Sequence, residues 1–412
     1  MLFEVNSTKF VCMKKLSIVF FWFIAVNLLN AQSIEKVVDS NNVFAFKMFK
    51  QLNGEHNLIF SPFSISSALA MTYAGARGET EKQMSRVLCF GFKENVLHRD
   101  FDAILSDIES DNADSVKLDI ANSLWVQKNY KFLDSYFDMV KTKYHSELNY
   151  VDFRAKTEEA RKEINNWTEQ KTNYKIKDLL PKGSLDGDVR LVLVNALYFH
   201  ASWLYKFSVN ATHKDVFYVG GKNNDTVHAN FMNKQGEYMY YENAEGKMIE
   251  LPYMGYKLSM LVYLPNNEYD SLRMRHVFDY NYYKSINDSL GGEEVELELP
   301  KFKITQSFGL GDTLSNMGMK DAFLPDQADF SGMTGNTKLF ISKVIHKAFI
   351  DVTEDGTEAS AATAVVVKLG MARPPRRPKI FKADHPFIYI IRDNKTGSIL
   401  FMGEVKNPTK QE

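Results

Sequence analysis

Residues 354–379 read Glu354-Asp355-Gly356-Thr357-Glu358-Ala359-Ser360-Ala361-Ala362-Thr363-Ala364-Val365-Val366-Val367-Lys368-Leu369-Gly370-Met371-Ala372-Arg373-Pro374-Pro375-Arg376-Arg377-Pro378-Lys379. The first half is small or polar and lacks the large apolar residues that anchor a core helix. The second half places Pro374, Pro375 and Pro378 within five residues, which excludes helix and central strand. The stretch is an internal excursion, because it joins two apolar blocks, Leu339 to Val352 and Phe387 to Val405. A structureless segment of this length inside a compact domain is usually functional or disordered. On local composition alone, a surface helix followed by a polyproline linker also fits. The small residues at 359–364 equally suit a strand entering a crowded sheet, where bulky side chains would obstruct it.

The flanking sequence supplies that sheet. Val192 to Phe199 is almost wholly apolar, as in a strand buried on both faces, and Lys257 to Leu264 is similar. Val295, Leu297 and Leu299 alternate with Glu296 and Glu298, the period of a half-exposed strand. Phe387 to Ile391 and Ser398 to Gly403 flank a turn-rich Arg392 to Gly397, a hairpin signal. Earlier in the chain the period is helical: Val37, Val38, Phe44, Met48, Phe49 and Leu52 predict one helix. Ser61-Pro62 predicts the cap and first turn of a second. Thr80 to Val87 and Arg99 to Glu109 predict two more. With no internal repeat or long linker, one α+β domain over 32–412 follows.

At this point the chain resembles the serpin family over nearly all of Ser33 to Pro408. The resemblance is carried by Asn57-Leu58-Ile59-Phe60-Ser61-Pro62-Phe63-Ser64-Ile65-Ser66, by Leu193 to Phe199 followed by Trp203 and Phe207, and by Leu299-Pro300-Lys301-Phe302. Asp329-Phe330-Ser331-Gly332, His385-Pro386-Phe387 and Phe401-Met402-Gly403 complete the set. It implies an α+β serpin fold, with about nine helices around three β-sheets and an exposed reactive-centre loop at about 355–383. It also implies inhibition of serine, or cysteine, proteases by suicide-substrate trapping. The protease attacks the loop and forms an acyl-enzyme, the cut loop inserts into the central sheet, and the dragged protease is distorted so that deacylation stalls.

Glu354, Gly356, Thr357, Glu358, Ala359, Ser360, Ala361, Ala362 and Thr363 are similar to the hinge of inhibitory members; Asp355 departs mildly from it. Ser61, Ser64, Asn195, Trp203 and His346 match positions around the sheet's opening, and His346 is assigned no catalysis. The family's spacing places the scissile bond at Gly370-Met371. The tail beyond it is longer than usual, so Met371-Ala372, Leu369-Gly370 and Lys368-Leu369 stay open. Chymotrypsin-, elastase- or trypsin-like proteases are the corresponding partners, in a covalent 1:1 complex with a monomer. The competing reading is a non-inhibitory serpin acting as carrier or chaperone.

Composition narrows the remaining possibilities. Lys and Arg number 50 against 51 acidic residues, which gives no general pull toward nucleic acid or anionic membrane. Arg373, Arg376, Arg377, Lys379 and Lys382 form a local basic run that would suit an acidic exosite on a protease, or a solvated loop. Acidic residues in Arg99 to Glu109 argue against a polyanion site there. Asp107, Glu109 and Asp111 resemble a calcium loop superficially, but Asn112 stands where glycine is needed. No metal and no cofactor are expected. Lys14-Lys15, a short apolar run from Leu16 to Leu29 and Ala31 read as a signal peptide over 1–31 rather than a membrane span. A secreted chain would lose Cys12, keep Cys89 as a lone thiol, and offer sequons at Asn166, Asn210, Asn224, Asn287 and Asn394.

Overall fold

The computed structural model describes residues 32–52, 56–110, 116–219, 225–266, 275, 277–336, 339–357 and 377–410. Helix α1 covers 32–51, α2 Pro62–Tyr73, α3 Gly78–Leu88, α4 Glu94–Ser110, α5 Asp134–Lys143 and α6 Thr157–Lys171. The strands are β1 Leu58–Phe60, β2 Val116–Gln127, β3 Glu147–Val151, β4 Leu191–Ser202, β5 His213–Tyr218, β6 Thr226–Glu242, β7 Gly246–Pro252 and β8 Leu258–Pro265. They continue with β9 Gly291–Pro300, β10 Phe302–Gly309, β11 Lys343–Thr353, β12 Gly356–Thr357, β13 Lys379–Lys382, β14 Phe387–Asp393 and β15 Ile399–Val405.

Among the described residues these strands form two hydrogen-bonded sheets. One has six strands in the order β10-β11-β12-β4-β2-β3, and the other nine, β1-β15-β14-β8-β7-β6-β9-β13 with β5 on β6. The three sheets of the sequence reading become two by hydrogen bonding, because one long strand serves both of the smaller ones. The first part of β6 pairs with β5 and its last part with β7, while β9 pairs with the stretch that links them, Phe231 to Tyr240.

Helix α2 explains how the layers hold together. Ser61 caps it by accepting from the Ser64 amide at 3.3 Å, Pro62 opens it, and all twelve residues from Pro62 to Tyr73 are buried. A helix apolar or small on every side belongs in the interior, and α2 packs against β2, β4 and β15. The opposite face of the six-stranded sheet is covered by α6. There Ala160 and Ile164 join Trp125, Val192, Val194, Leu179 and Leu180 in a separate apolar cluster. This is why β4 is buried on both faces, as its unbroken apolar sequence predicts.

Candidate functional site

Strand β11 ends at Thr353, turns through Glu354-Asp355 and returns as the two-residue strand β12. Thr357 pairs with Val352 and Gly356 with Thr353 on one side, and with Ala201 and Ser202 of β4 on the other. Below β12 the neighbouring strands meet directly: β11 and β4 pair in parallel from Lys343–Val192 to Ala348–Leu197. The six-stranded sheet is therefore parted at one end only, with the start of the 354–379 segment wedged in the parting.

Residue type at each wedge position has a local reason. Gly356 sits at φ +151°, and an added Cβ would lie 2.1 Å from the Ala201 carbonyl oxygen, so only glycine fits. Thr357 is fully buried, and its hydroxyl shares a 2.7 Å hydrogen bond with the Tyr253 hydroxyl. The Tyr253 ring stacks on Trp203 with centroids 4.5 Å apart. The Trp203 indole N–H donates to the Thr353 carbonyl at 2.9 Å. Burial pushes the Tyr253 phenol well above its ordinary pKa, so it stays protonated as a neutral partner.

The turn is clasped from outside as well. The amides of Trp203 and Phe207 donate to the carbonyls of Asp355 and Glu354 at 2.9 and 3.0 Å. Lys206 pairs with Asp355 at 3.0 Å and Lys301 with Glu354 at 2.8 Å, and Thr212 Oγ1 donates to Glu354 at 2.8 Å. Burial works against the Glu354 charge, but Lys301 and Thr212 hold its carboxyl below the ordinary range.

A second buried cluster lies farther down, where β11 and β4 touch. His346 is paired with Asn195 across the two strands. The Ser61 amide donates to His346 Nε2 at 3.0 Å, so the ring proton sits on Nδ1 and is donated to Asn195 Oδ1. Asn195 Nδ2 in turn donates to Ser64 Oγ and to Asn122 Oδ1. Ser64 Oγ donates to Asn122 Oδ1 at 3.3 Å, and Asn122 Nδ2 donates to Ser67 Oγ at 3.4 Å. Phe308 of β10 lies parallel to the imidazole at 6.3 Å. Desolvation lowers the His346 pKa to about 3, so the ring is a neutral relay of hydrogen bonds, with no acid–base role.

The structure thus brings Ser61, Ser64, Asn195 and His346 together. Trp203 belongs to a different cluster, eight residues on from Asn195, just past the end of β4 and stacked on the Tyr253 that holds Thr357. Two partners were missed by the sequence reading. Asn122 sits on β2 in a run, Ile120 to Leu124, that carries no distinctive signal; Tyr253 follows a strand and reads as ordinary core.

Other expectations fall on varied ground. Glu358 to Thr363, the bonds from Lys368 to Ala372, Arg373, Arg376 and Asn224 lie outside the described residues, as do 1–31. Arg377 is exposed, and so are Asn166 and Asn210. Asn287 is half-buried with its carbonyl on Arg392. Asn394 donates its amide to Tyr256 O at 2.9 Å and Ser259 Oγ at 2.8 Å, so a glycan there would have to displace at least one of these bonds. Cys89 is a free thiol. Asp107 and Glu109 are paired with Lys395 and His145. Among the described residues one His213-Asp215-Glu298 group has ligand spacing. The Lys382 ammonium already lies 2.5 Å from Asp215 and 2.9 Å from Glu298 there, in the place a metal would take. No helix among the described residues is long and apolar enough to cross a membrane.

Comparison with known proteins adds a family. The model described as serpin (serine protease inhibitor) matches residues 39–408. An uncharacterized serpin-like protein of Thermococcus kodakarensis is 41% identical over 373 residues, covering 90% of this chain and 86% of its own. The leukocyte elastase inhibitor of Equus caballus is 39% identical over 384 residues, covering 91% and 100%. Among solved structures, Serpin48 of Tenebrio molitor, described as a highly specific serpin, superimposes with a TM-score of 0.80 at 31% identity, covering 91% and 98%.

Proposed function

We propose that this chain, which belongs to the serpin family, inhibits serine proteases by loop cleavage followed by insertion of the cut loop between β11 and β4. The observation that carries the reading is β12: β11 and β4 are parted at one end, and the parting holds Gly356 and Thr357 in register with both neighbours. Extending that register assigns every later residue of the cut loop. Six residues past Thr357, Thr363 meets His346, six before Val352, and Asn195, six before Ala201. Three further on, Val366 meets Lys343 and Val192, where direct pairing of β11 and β4 begins. Both neighbours give the same answer, as a strand entering one continuous gap requires.

The alternation of side chains agrees with that path. Residues sharing the buried face of Thr357 are Ala359, Ala361, Thr363 and Val365. In the inserted strand the other face would take Glu358, Ser360, Ala362, Ala364 and Val366, so Glu358 would lie away from the core between His200 and Asp351 near the sheet's end. No charge is driven inward. Insertion would pair the facing N–H and C=O groups of both neighbours over nine further residues, which is strongly favourable. The nucleophile belongs to the protease; this chain supplies the substrate and the trap.

The leukocyte elastase inhibitor relatives support a protease partner, and the small, uncharged run from Ala359 to Ala364 supports inhibition over the carrier reading. We further place the mature chain outside the cell as a monomer, with Gly370-Met371 as the cut bond. The signal-like start and the exposed Asn166 and Asn210 support the first, and the spacing from Glu354 the last. Incubation with trypsin-, chymotrypsin- and elastase-type proteases tests the function. The expected result is a 1:1 adduct that survives denaturing electrophoresis, with the released C-terminal peptide beginning at Met371. Cleavage without adduct by every protease would overturn it.

A further inference from the structure

We infer that Tyr253 is a positioning residue that seats the hinge before any protease arrives, so that the uncut loop is presented from a strand already two residues long. Four observations converge. Thr357 has no exposed surface. Its hydroxyl is bonded to Tyr253 at 2.7 Å, while the other side-chain bond to β12, from Thr353 Oγ1 to the Gly356 carbonyl at 3.2 Å, comes from the turn itself. The Tyr253 ring is itself fixed, face to face on Trp203 and edge-on to Phe199 at 5.2 Å. The backbone around Tyr253 is pinned to the same place by its bridge to Trp203. A phenol held this rigidly loses little entropy on binding the threonine hydroxyl.

The consequence is a two-state hinge. In the seated state Gly356 and Thr357 belong to the sheet. Releasing them would add two residues, about 6.6 Å of extended chain, to the free loop. A longer free loop reaches a protease cleft more readily, whereas a seated hinge is closer to the inserted end state. Tyr253 sets the balance between these through one neutral hydrogen bond, worth roughly a fivefold population change. The seat itself rests on geometry alone; its effect on presentation rests on the loop-insertion reading.

Hydrogen exchange on the full uncut chain tests the seat. Tyr253→Phe keeps the ring and its stacking, and Thr357→Val keeps the shape of Thr357, but each removes one hydroxyl. Each is expected to speed exchange of the Gly356 and Thr357 amides roughly fivefold. The double variant should exceed neither, and Thr357→Ser should behave like the parent. Additive effects, or unchanged exchange, would overturn the seat. Association rates with trypsin and chymotrypsin as probes test the consequence. A several-fold rise for Tyr253→Phe with none for Thr357→Ser is expected, and a rate that does not follow exchange would overturn it. If neither protease forms a stable adduct with any variant, the inhibitory reading fails, while the exchange data still decide the seat.

Discussion

His346 and Asn195 face each other across two parallel strands, and a side-chain hydrogen bond between them joins the backbone pairing of β11 and β4 in closing the line where a further strand would enter. Everything else they touch lies on one side of that line or the other. His346 is held by the Ser61 amide and backed by Phe308, whereas Asn195 is held by Ser64 and Asn122. Parting β11 from β4 therefore leaves His346 Nδ1–H and Asn195 Oδ1 buried and unpaired unless the incoming strand brings a replacement. An unpaired buried polar group costs about 1–3 kcal/mol. On the proposed insertion path, the register of β12 continued to Thr363 would bring a threonine hydroxyl to that position.

Thr363→Val should therefore weaken the cut form selectively. The loop-cleaved protein is expected to lose about 1–3 kcal/mol in denaturant unfolding, with the uncut protein unchanged. Equal losses in both forms would place Thr363 elsewhere.

His346 makes the uncut protein acid-sensitive. Its pKa is lowered to about 3 from an ordinary 6.5, so between those values the unfolded chain binds a proton that the folded chain refuses. Stability from this group is complete above pH 6.5 and declines as pH falls toward 3, by at most about 1.4 kcal/mol per pH unit. A His346→Gln variant should be less stable at neutral pH but show a flatter decline from pH 6.5 to 4. An unchanged slope in chemical denaturation across that range would exclude the ring as the titrating group.

Much of this arrangement was legible in the sequence because it is written in residue types with few alternatives. Gly356 followed by small residues, the apolar run of β4, and Ser61-Pro62 before a buried helix each constrain the backbone locally. Tyr253 and Asn122 were not legible, since their importance comes from strands brought together by topology. Trp203 was legible as a residue of the sheet's opening, but its separation from the Asn195–His346 cluster was not: position on a strand fixes a face, and only the pairing register fixes which end of the sheet it serves. The fusion of two sheets through β6 was hidden for a related reason, because the length of a strand's pairing depends on its partners.

Thr357→Arg addresses the wedge directly. The parent side chain is fully buried and bonded to Tyr253, a neutral partner, so a guanidinium there would be desolvated without compensation. The loop would remain a good substrate while the first step of insertion is blocked. On denaturing gels the variant is expected to be cleaved at the parent's rate, with the stable adduct falling below about a tenth of parent yield, a loss of more than ~1.4 kcal/mol in partitioning. An adduct yield equal to the parent's would show that Thr357 need not stay inside the sheet.

The broadest prediction concerns heat. In the uncut molecule β11 and β4 pair directly over only six residues of each strand, Lys343 to Ala348 and Val192 to Leu197, above which two wedge residues fill the gap. A loop strand extended to Val366 would give both strands an antiparallel neighbour throughout and would bury Ala359, Ala361 and Val365 on the core face. Antiparallel pairing is slightly stronger per residue than the parallel pairing it replaces. The gain includes hydrogen bonds and apolar burial, against the cost of ordering nine residues at about 1–2 kcal/mol each. Scission within 368–372, with both fragments retained, is expected to raise the melting temperature by more than about 10 °C, given roughly 2–4 °C per kcal/mol for large domains. Scission at Arg376-Arg377 should do the same, whereas a nick in 111–115 should not. A cut loop that leaves the melting temperature where it was would mean that the gap between β11 and β4 is not waiting for a strand.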